Sequence, residues 1–319
     1  MTVRILSGDC RDVLRTLRDK SSQCCVTSPP YFGLRDYGVA EQIGLEKTPD
    51  AFVAQLVEVF REVRRVLCDD GTLWLNLGDS YVSNGRYDAA YEAKKQRGGL
   101  HVNDAQKYAQ YDPRPAAKAA GLKPKDLMMI PARVALALQA DGWYLRSDII
   151  WHKPNPMPES VADRPTSAHE HVFLLTKSER YFYDAGAIRE PDLGTDHRRN
   201  IVAPVDSSNG HLSADKGIRT VEGQNGLGRN CRNVWSIPPG RFKGAHFATM
   251  PTELAERCIK AGSKPGDTVL DPFGGSGTTG LVANQLQRNA VLIDLNPEYV
   301  AMTKTRIDQA QKPGHPESK

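Results

Sequence analysis

A chain of 319 residues with 39% hydrophobic and 25% charged residues has the make-up of a globular protein, and can bury a core without disulfide or metal staples. Its formal charge of +4 permits a nucleic-acid partner without requiring one, and its six cysteines show no paired spacing, so no metal site is expected. No apolar run approaches the ~20 residues of a membrane span, the first residues lack a signal-peptide core, and a soluble cytoplasmic protein is expected.

In chain order, short β-branched segments bounded by turn signals predict buried strands at Val3–Ser7, Gln23–Thr27, Thr72–Leu77, Ser147–His152, His171–Thr176, Thr268–Leu270 and Ala290–Ile293. Between them, apolar residues at helical spacing predict helices over Asp50–Leu67, Pro131–Ala140 and Thr252–Ala261. Strands alternating with helices imply an α/β sheet covered on both faces. Two stretches break the rhythm. Residues 83–125 are polar, with nine Lys/Arg against four Asp/Glu between Gly85 and Lys125, and suit either a solvated insertion or a mobile basic loop closing over DNA. Residues 184–232 are rich in Asn, Gln, Arg, His and Ser, the side chains that read base edges.

The second strand runs into Thr27-Ser28-Pro29-Pro30-Tyr31. Two prolines fix φ and remove two N–H donors, leaving carbonyls in a rigid line. Ser28 and a proline carbonyl suit an aromatic amine as acceptors, and Tyr31 suits the ring that bears it. Holding both amine hydrogens pulls a delocalised nitrogen towards tetrahedral geometry and aims its lone pair, which is positioning rather than covalent catalysis.

Near the other end, a strand leads through Asp271-Pro272-Phe273 into Gly274-Gly275-Ser276-Gly277 and a helix opening at Thr278-Thr279. Glycines let the backbone pass close to a ligand, and the helix start offers free N–H groups. The next strand ends at Asp294, with Asn296 beyond it, where a carboxylate suits ribose hydroxyls. A carboxylate at Asp271 repels a pyrophosphate and suits the ammonium of S-adenosylmethionine (AdoMet), so the turn favours AdoMet over a dinucleotide.

Together, TSPPY early and DPFGGSGTTG late resemble the two signature motifs of the DNA amino-methyltransferases, and their order resembles the circularly permuted β class. The resemblance covers nearly the whole chain apart from 83–125 and the tail. It implies a Rossmann-like, seven-stranded, mostly parallel sheet with helices on both faces, in which the two motifs meet at the carboxyl ends of adjacent strands. ILSGDC resembles the strand whose Asp9, beside Cys10, reaches the cofactor adenine. AHFATMPTEL, with His246 and Thr249, resembles the segment leading to the cofactor's methionine end. SDIIWHKPNPMPES and AHEHVFLLTK resemble the strands flanking the base pocket.

Implied in turn are residues 1–183 as a catalytic half, 184–232 as a target-recognition region, 233–310 as the AdoMet-binding half of the same domain and 311–319 as a disordered tail. The resemblance further implies double-stranded DNA as partner, a homodimer, and a flipped-out base, because the target amine of paired DNA does not reach such a cleft. Trp151 is a candidate to stack on that base or to be plain core. Arg35 suits a DNA contact or a solvated turn; Arg198, Arg199, Arg229 and Arg232 suit DNA contacts. The pairs His152-Lys153 and His169-Glu170 are read as strand-end structure. Adenine N6 is the expected target, because TSPPYFGLRDYG resembles solitary β-class enzymes. Cytosine N4, which Ser before Pro-Pro-Tyr resembles, is the alternative. RNA or a protein amide is the more distant one.

Overall fold

Alternation along two central strands sets the layering of this computed structural model, which describes residues 1–34, 39, 41–82, 121–191, 228–240 and 250–310. Strand β2 is Ser22–Thr27 and β3 is Leu67–Leu77. Cys25, Leu73 and Leu75 join one core cluster with the apolar stripe Phe52, Leu56, Phe60 and Val63 of helix α2, Pro49–Val66. On the other side, Cys24, Thr72 and Trp74 press against Gly262, the last residue of α4, Thr252–Gly262. Successive side chains on a strand point to opposite faces, so one sheet is buried by helices on both sides.

Helix α2 starts where its sequence says it should: Thr48 accepts the Ala51 N–H at 3.0 Å and Pro49 occupies the first turn. It packs with α1, Cys10–Thr16, and α3, Ile130–Ala140. Helix α5, Thr278–Gln285, packs against α4 and against α6, Pro297–Ala310.

The remaining strands are β1 (Val3–Ser7), β4 (Tyr144–His152), β5 (His169–Thr176), β6 (Val234–Ser236), β7 (Thr268–Asp271) and β8 (Asn289–Asp294). Their order is β1-β8-β7-β2-β3-β5-β4-β6. Strand β5 lies antiparallel to both β3 and β4, and every other pair is parallel. The start of β5 therefore lies at the edge where its neighbours end. The sheet has eight strands where the sequence implied seven. The addition is β6, which pairs with β4 through three residues only, Ile150 with Val234 to His152 with Ser236. Three residues are too short for an alternation to register.

Residues 1–184 and 233–319 form one compact unit, and Ala185–Arg232 a second. In the second, a short turn at Gly186–Ile188 precedes a bridge between Glu190 and Arg229. The insertion expected over 83–125, apart from 121–125, and the expected tail lie outside the described residues. No helix among the described residues is long and apolar enough to cross a membrane.

Candidate active site

Of four parallel strands that end at one edge of the sheet, β2 and β7 lead into the two sequence motifs, and β1 and β8 lead to Asp9 and Asp294. Strands β7 and β2 are direct neighbours, with Cys24 opposite Val269 and Cys25 opposite Leu270. Past their last residues a cavity of about 280 Å³ opens. Ser28, Pro29, Pro30 and Tyr31 line one part of it. Asp271, Pro272, Phe273, Gly274, Gly275, Ser276, Thr278 and Thr279 line another. Asp9 and Cys10 reach it from the end of β1, and Asp294 and Asn296 from the end of β8.

The glycine turn owes its shape to close packing. Gly277 has φ +78°, and a Cβ there would meet Thr303 Cγ2 at 2.4 Å, so no larger residue fits unstrained. The turn is tied to β8: the Gly275 N–H donates to Asp294 Oδ2 at 2.8 Å and the Gly274 N–H donates to the Ile293 carbonyl at 2.8 Å. The other oxygen of Asp294 accepts the Asn296 N–H at 2.8 Å. Burial pushes the Asp294 carboxyl above its usual range. Asp271 is buried and accepts from Thr27 Oγ1 at 2.6 Å and from the Phe273 N–H at 3.0 Å. Burial outweighs those bonds and pushes its carboxyl up to about 6.

Two of the predicted cofactor residues serve from behind the lining. Thr27 is buried and holds Asp271, while Gly277 opens α5. Asp9 caps α1 by accepting the Arg11 N–H at 2.8 Å, and its carboxylate also takes the Arg11 guanidinium, which holds it below the usual carboxylate range. Burial raises the Cys10 thiol to about 12, so it lines the cavity as a small uncharged group. All six cysteines are free thiols, and among the described residues no cluster of His, Cys, Asp or Glu is arranged to hold a metal.

At the Tyr31 end, the cavity is polar. Tyr31 Oη donates to Glu170 Oε2 at 2.5 Å and lies 3.0 Å from the Asn76 Nδ2 donor. Its ring rests against Gly78, where an added Cβ would lie 2.6 Å from Tyr31 Cε2. Asn76 Nδ2 also reaches Ser28 Oγ at 3.3 Å and Glu170 Oε2 at 3.0 Å. Lys153 pairs with Glu170 and stands 4.7 Å above the Trp151 ring. Trp151 is both wall and core: it is buried, lines the cavity, and donates from Nε1 to the Ile237 carbonyl at 2.8 Å.

Neither sequence motif contains Asn76, Lys153 or Glu170, and the sequence reads the last two as strand-end structure. What signal they gave was polarity at the ends of apolar strands, in LNLG, WHK and AHE. Ile43, Tyr299 and Met302 add apolar lining. Of the candidate DNA contacts, Arg229 and Arg232 are described, and both belong to the unit Ala185–Arg232. The Arg232 backbone N–H, and then the Arg229 and Arg232 side chains, donate to Glu190 and hold its carboxyl below its usual range. Arg35, Arg198, Arg199, His246 and Thr249 lie outside the described residues, although Pro239, Gly240 and Met250, which flank the last two, line the cavity.

Comparison with known proteins agrees with this geometry. A family model described as DNA methylase matches residues 22–305. The chain is 50% identical over 303 residues to the Type II methyltransferase M.XycI of Xanthomonas campestris pv. cyanopsidis, covering 95% of this chain and 87% of that one. To the Type II methyltransferase M.Cfr9I of Citrobacter freundii it is 49% identical, with the same coverage. Among solved structures, TTHA0409 of Thermus thermophilus complexed with S-adenosyl-L-methionine superposes with a TM-score of 0.58 at 26% identity, covering 98% of this chain and 95% of that one.

Proposed function

The chain belongs to the N6/N4 DNA methylase family, and on that premise we propose that its cavity takes up a flipped-out cytosine and methylates the exocyclic N4. The protein is a site-specific, AdoMet-dependent DNA methyltransferase. One observation carries the reading of the site as a place of methyl transfer: the Ser28–Tyr31 and Asp271–Thr279 segments line a single cavity.

The cavity's chemistry fits AdoMet. Around the glycine turn the charged lining is acidic, with Asp9, Asp271 and Asp294, which disfavours a pyrophosphate and suits a ligand bearing a sulfonium and an ammonium. Asp271 is the group for the ammonium, Asp294 for the ribose hydroxyls, and Phe273, Ile43 and Tyr299 for the adenine. When bound, AdoMet supplies a methyl group on a positively charged sulfur.

The protein's own part is positioning. Ser28 Oγ and the Pro29 carbonyl hold the amine hydrogens, turning the nitrogen lone pair outward. Tyr31 offers one ring face to the base while Gly78 supports the other. Lys153 stands over Trp151 at the same end, and the base enters between these groups after leaving the stack, at a cost of a few kcal/mol. Residues 185–232 form the target-recognition region in this reading.

One feature favours cytosine over the expected adenine. Ser28 precedes the prolines, as it does in the N4 enzymes that the motif resembles. The adenine expectation rested on a likeness to solitary enzymes, whereas relatives at 49% and 50% identity bear the name Type II methyltransferase. Transfer of labelled methyl to mixed DNA, followed by nucleoside mass spectrometry, tests the reading. N4-methyldeoxycytidine is expected. N6-methyldeoxyadenosine would transfer the mechanism to adenine, and neither product with AdoMet bound would sink it.

A further inference from the structure

Glu170 ends a chain of hydroxyls that begins at Ser28. Ser28 Oγ donates to Tyr31 Oη at 3.4 Å, and Tyr31 Oη donates to Glu170 Oε2 at 2.5 Å. The Asn76 amide braces all three from 3.3, 3.0 and 3.0 Å. A carboxylate oxygen facing an amide demands its NH₂, so Glu170 also fixes which way Asn76 points. The donors run in one direction. With the Tyr31 hydrogen given to Glu170 and the Ser28 hydrogen given to Tyr31, Ser28 Oγ keeps a lone pair to accept from the cavity. The second Glu170 oxygen pairs with Lys153, which supplies the countercharge.

A ring amine that gains a methyl group becomes cationic and must lose a proton. We propose that Glu170 is the terminal acceptor of that proton, reached through the hydroxyls of Ser28 and Tyr31. The inference rests on the DNA methyltransferase reading and holds for either base. The nitrogen lone pair forms the new N–C bond, and the electron pair of the broken C–S bond stays on sulfur. One N–H electron pair then stays on nitrogen. Its proton passes to Ser28 Oγ as the Ser28 hydrogen moves to Tyr31 Oη and the Tyr31 hydrogen moves to Glu170 Oε2. Both hydroxyls are restored and the carboxylate becomes a carboxylic acid. Its side chain is 13% exposed, which leaves a way for the proton to reach water.

The ionisable groups facing Glu170 are Tyr31, from the segment after β2, and Lys153, from the segment after β4. Its strand neighbours His169 and His171 alternate to the opposite face, where His171 bonds Asp148 at 2.9 Å.

The experiment compares wild type, Glu170→Gln, Glu170→Asp and Tyr31→Phe in single-turnover methyl transfer across pH, with AdoMet saturating at every pH. AdoMet affinity by calorimetry, cofactor-free duplex affinity by anisotropy and the melting temperature are measured alongside. Glutamine keeps the size of the side chain but takes no proton. Glu170→Gln is expected to slow transfer by about 10²-fold and to lose the rise in rate on the acid side of the profile. Glu170→Asp recovers part of the rate with that rise, and both binding constants stay near wild type. Tyr31→Phe breaks the same chain, so Glu170→Gln and Tyr31→Phe combined are no slower than the slower single variant. A Glu170→Gln rate and profile matching wild type overturn the proposal. So does a parallel fall in melting temperature and AdoMet affinity, which marks a structural role. Failure of wild type itself to methylate DNA would instead strike the functional reading.

Discussion

The side-chain hydroxyl of Thr27 donates a 2.6 Å hydrogen bond to the Asp271 carboxylate across 244 positions of chain. This bond joins the last residue of β2 to the last residue of β7, where the two sequence motifs begin. It also places a buried carboxylate, with no cation among the partners named above, at the wall of the cavity.

That carboxylate makes cofactor binding depend on pH. Burial holds the Asp271 carboxyl at about 6, above its ordinary 3.8. The folded protein thus keeps this proton longer than the unfolded chain does, and the residue's contribution to stability falls as pH rises between those values. A cofactor ammonium requires the ionised form. AdoMet affinity by calorimetry should therefore climb about tenfold per pH unit below about 6 and level off above it. Asp271→Asn should flatten the climb; a wild-type affinity that ignores pH in this range would remove Asp271 from the ammonium site.

Asp294 accepts two backbone N–H groups while facing the cavity. Asp294→Ala should weaken AdoMet binding by about 1–3 kcal/mol, through the lost acceptor and the loosened glycine turn. Duplex affinity without cofactor should change little. Calorimetry showing unchanged AdoMet affinity would contradict the ribose role.

Gly78 is the floor under Tyr31. In Gly78→Ala the new methyl group would stand 2.6 Å from the Tyr31 ring, so the ring must shift. A displacement of this order is expected to lower kcat by about 10²-fold while AdoMet affinity holds. Wild-type kcat in this variant would show that Tyr31 need not sit where the fold puts it.

Ser28→Ala removes one acceptor and the first hydroxyl of the chain to Glu170. Turnover should drop by roughly two orders of magnitude with AdoMet affinity intact. Equal losses of both would mean that the two motifs are not separable in role.

Much of this organisation was legible in the sequence because it is written locally. Long β-branched runs such as Thr72–Leu77 declared themselves, and so did the amphipathic stripe of α2. The two motifs are contiguous strings whose prolines and glycines carry a conformational meaning of their own. Other elements gave weaker signals. Strand β6 is three residues long, and α1 is a seven-residue helix whose cap, Asp9, drew notice as a ligand instead. The Glu170 cluster was illegible for a different reason. Asn76, Lys153 and Glu170 come from β3, the residue just after β4 and the start of β5, and only the antiparallel seat of β5 between the other two strands brings them together.

The pairing of β1 with β8 has a consequence for synthesis. Within the sheet β8 is the neighbour of Val3–Ser7, with Ser7 opposite Asp294. Strand β1 leaves the ribosome long before β8 and must therefore wait for it before it finds its place, and β2 must wait for β7 on one of its sides. Until then the nascent chain carries apolar strands with open edges. Folding of the cofactor wall is thus a late, long-range event, of the kind that proceeds slowly and leaves edges open to association in the meantime.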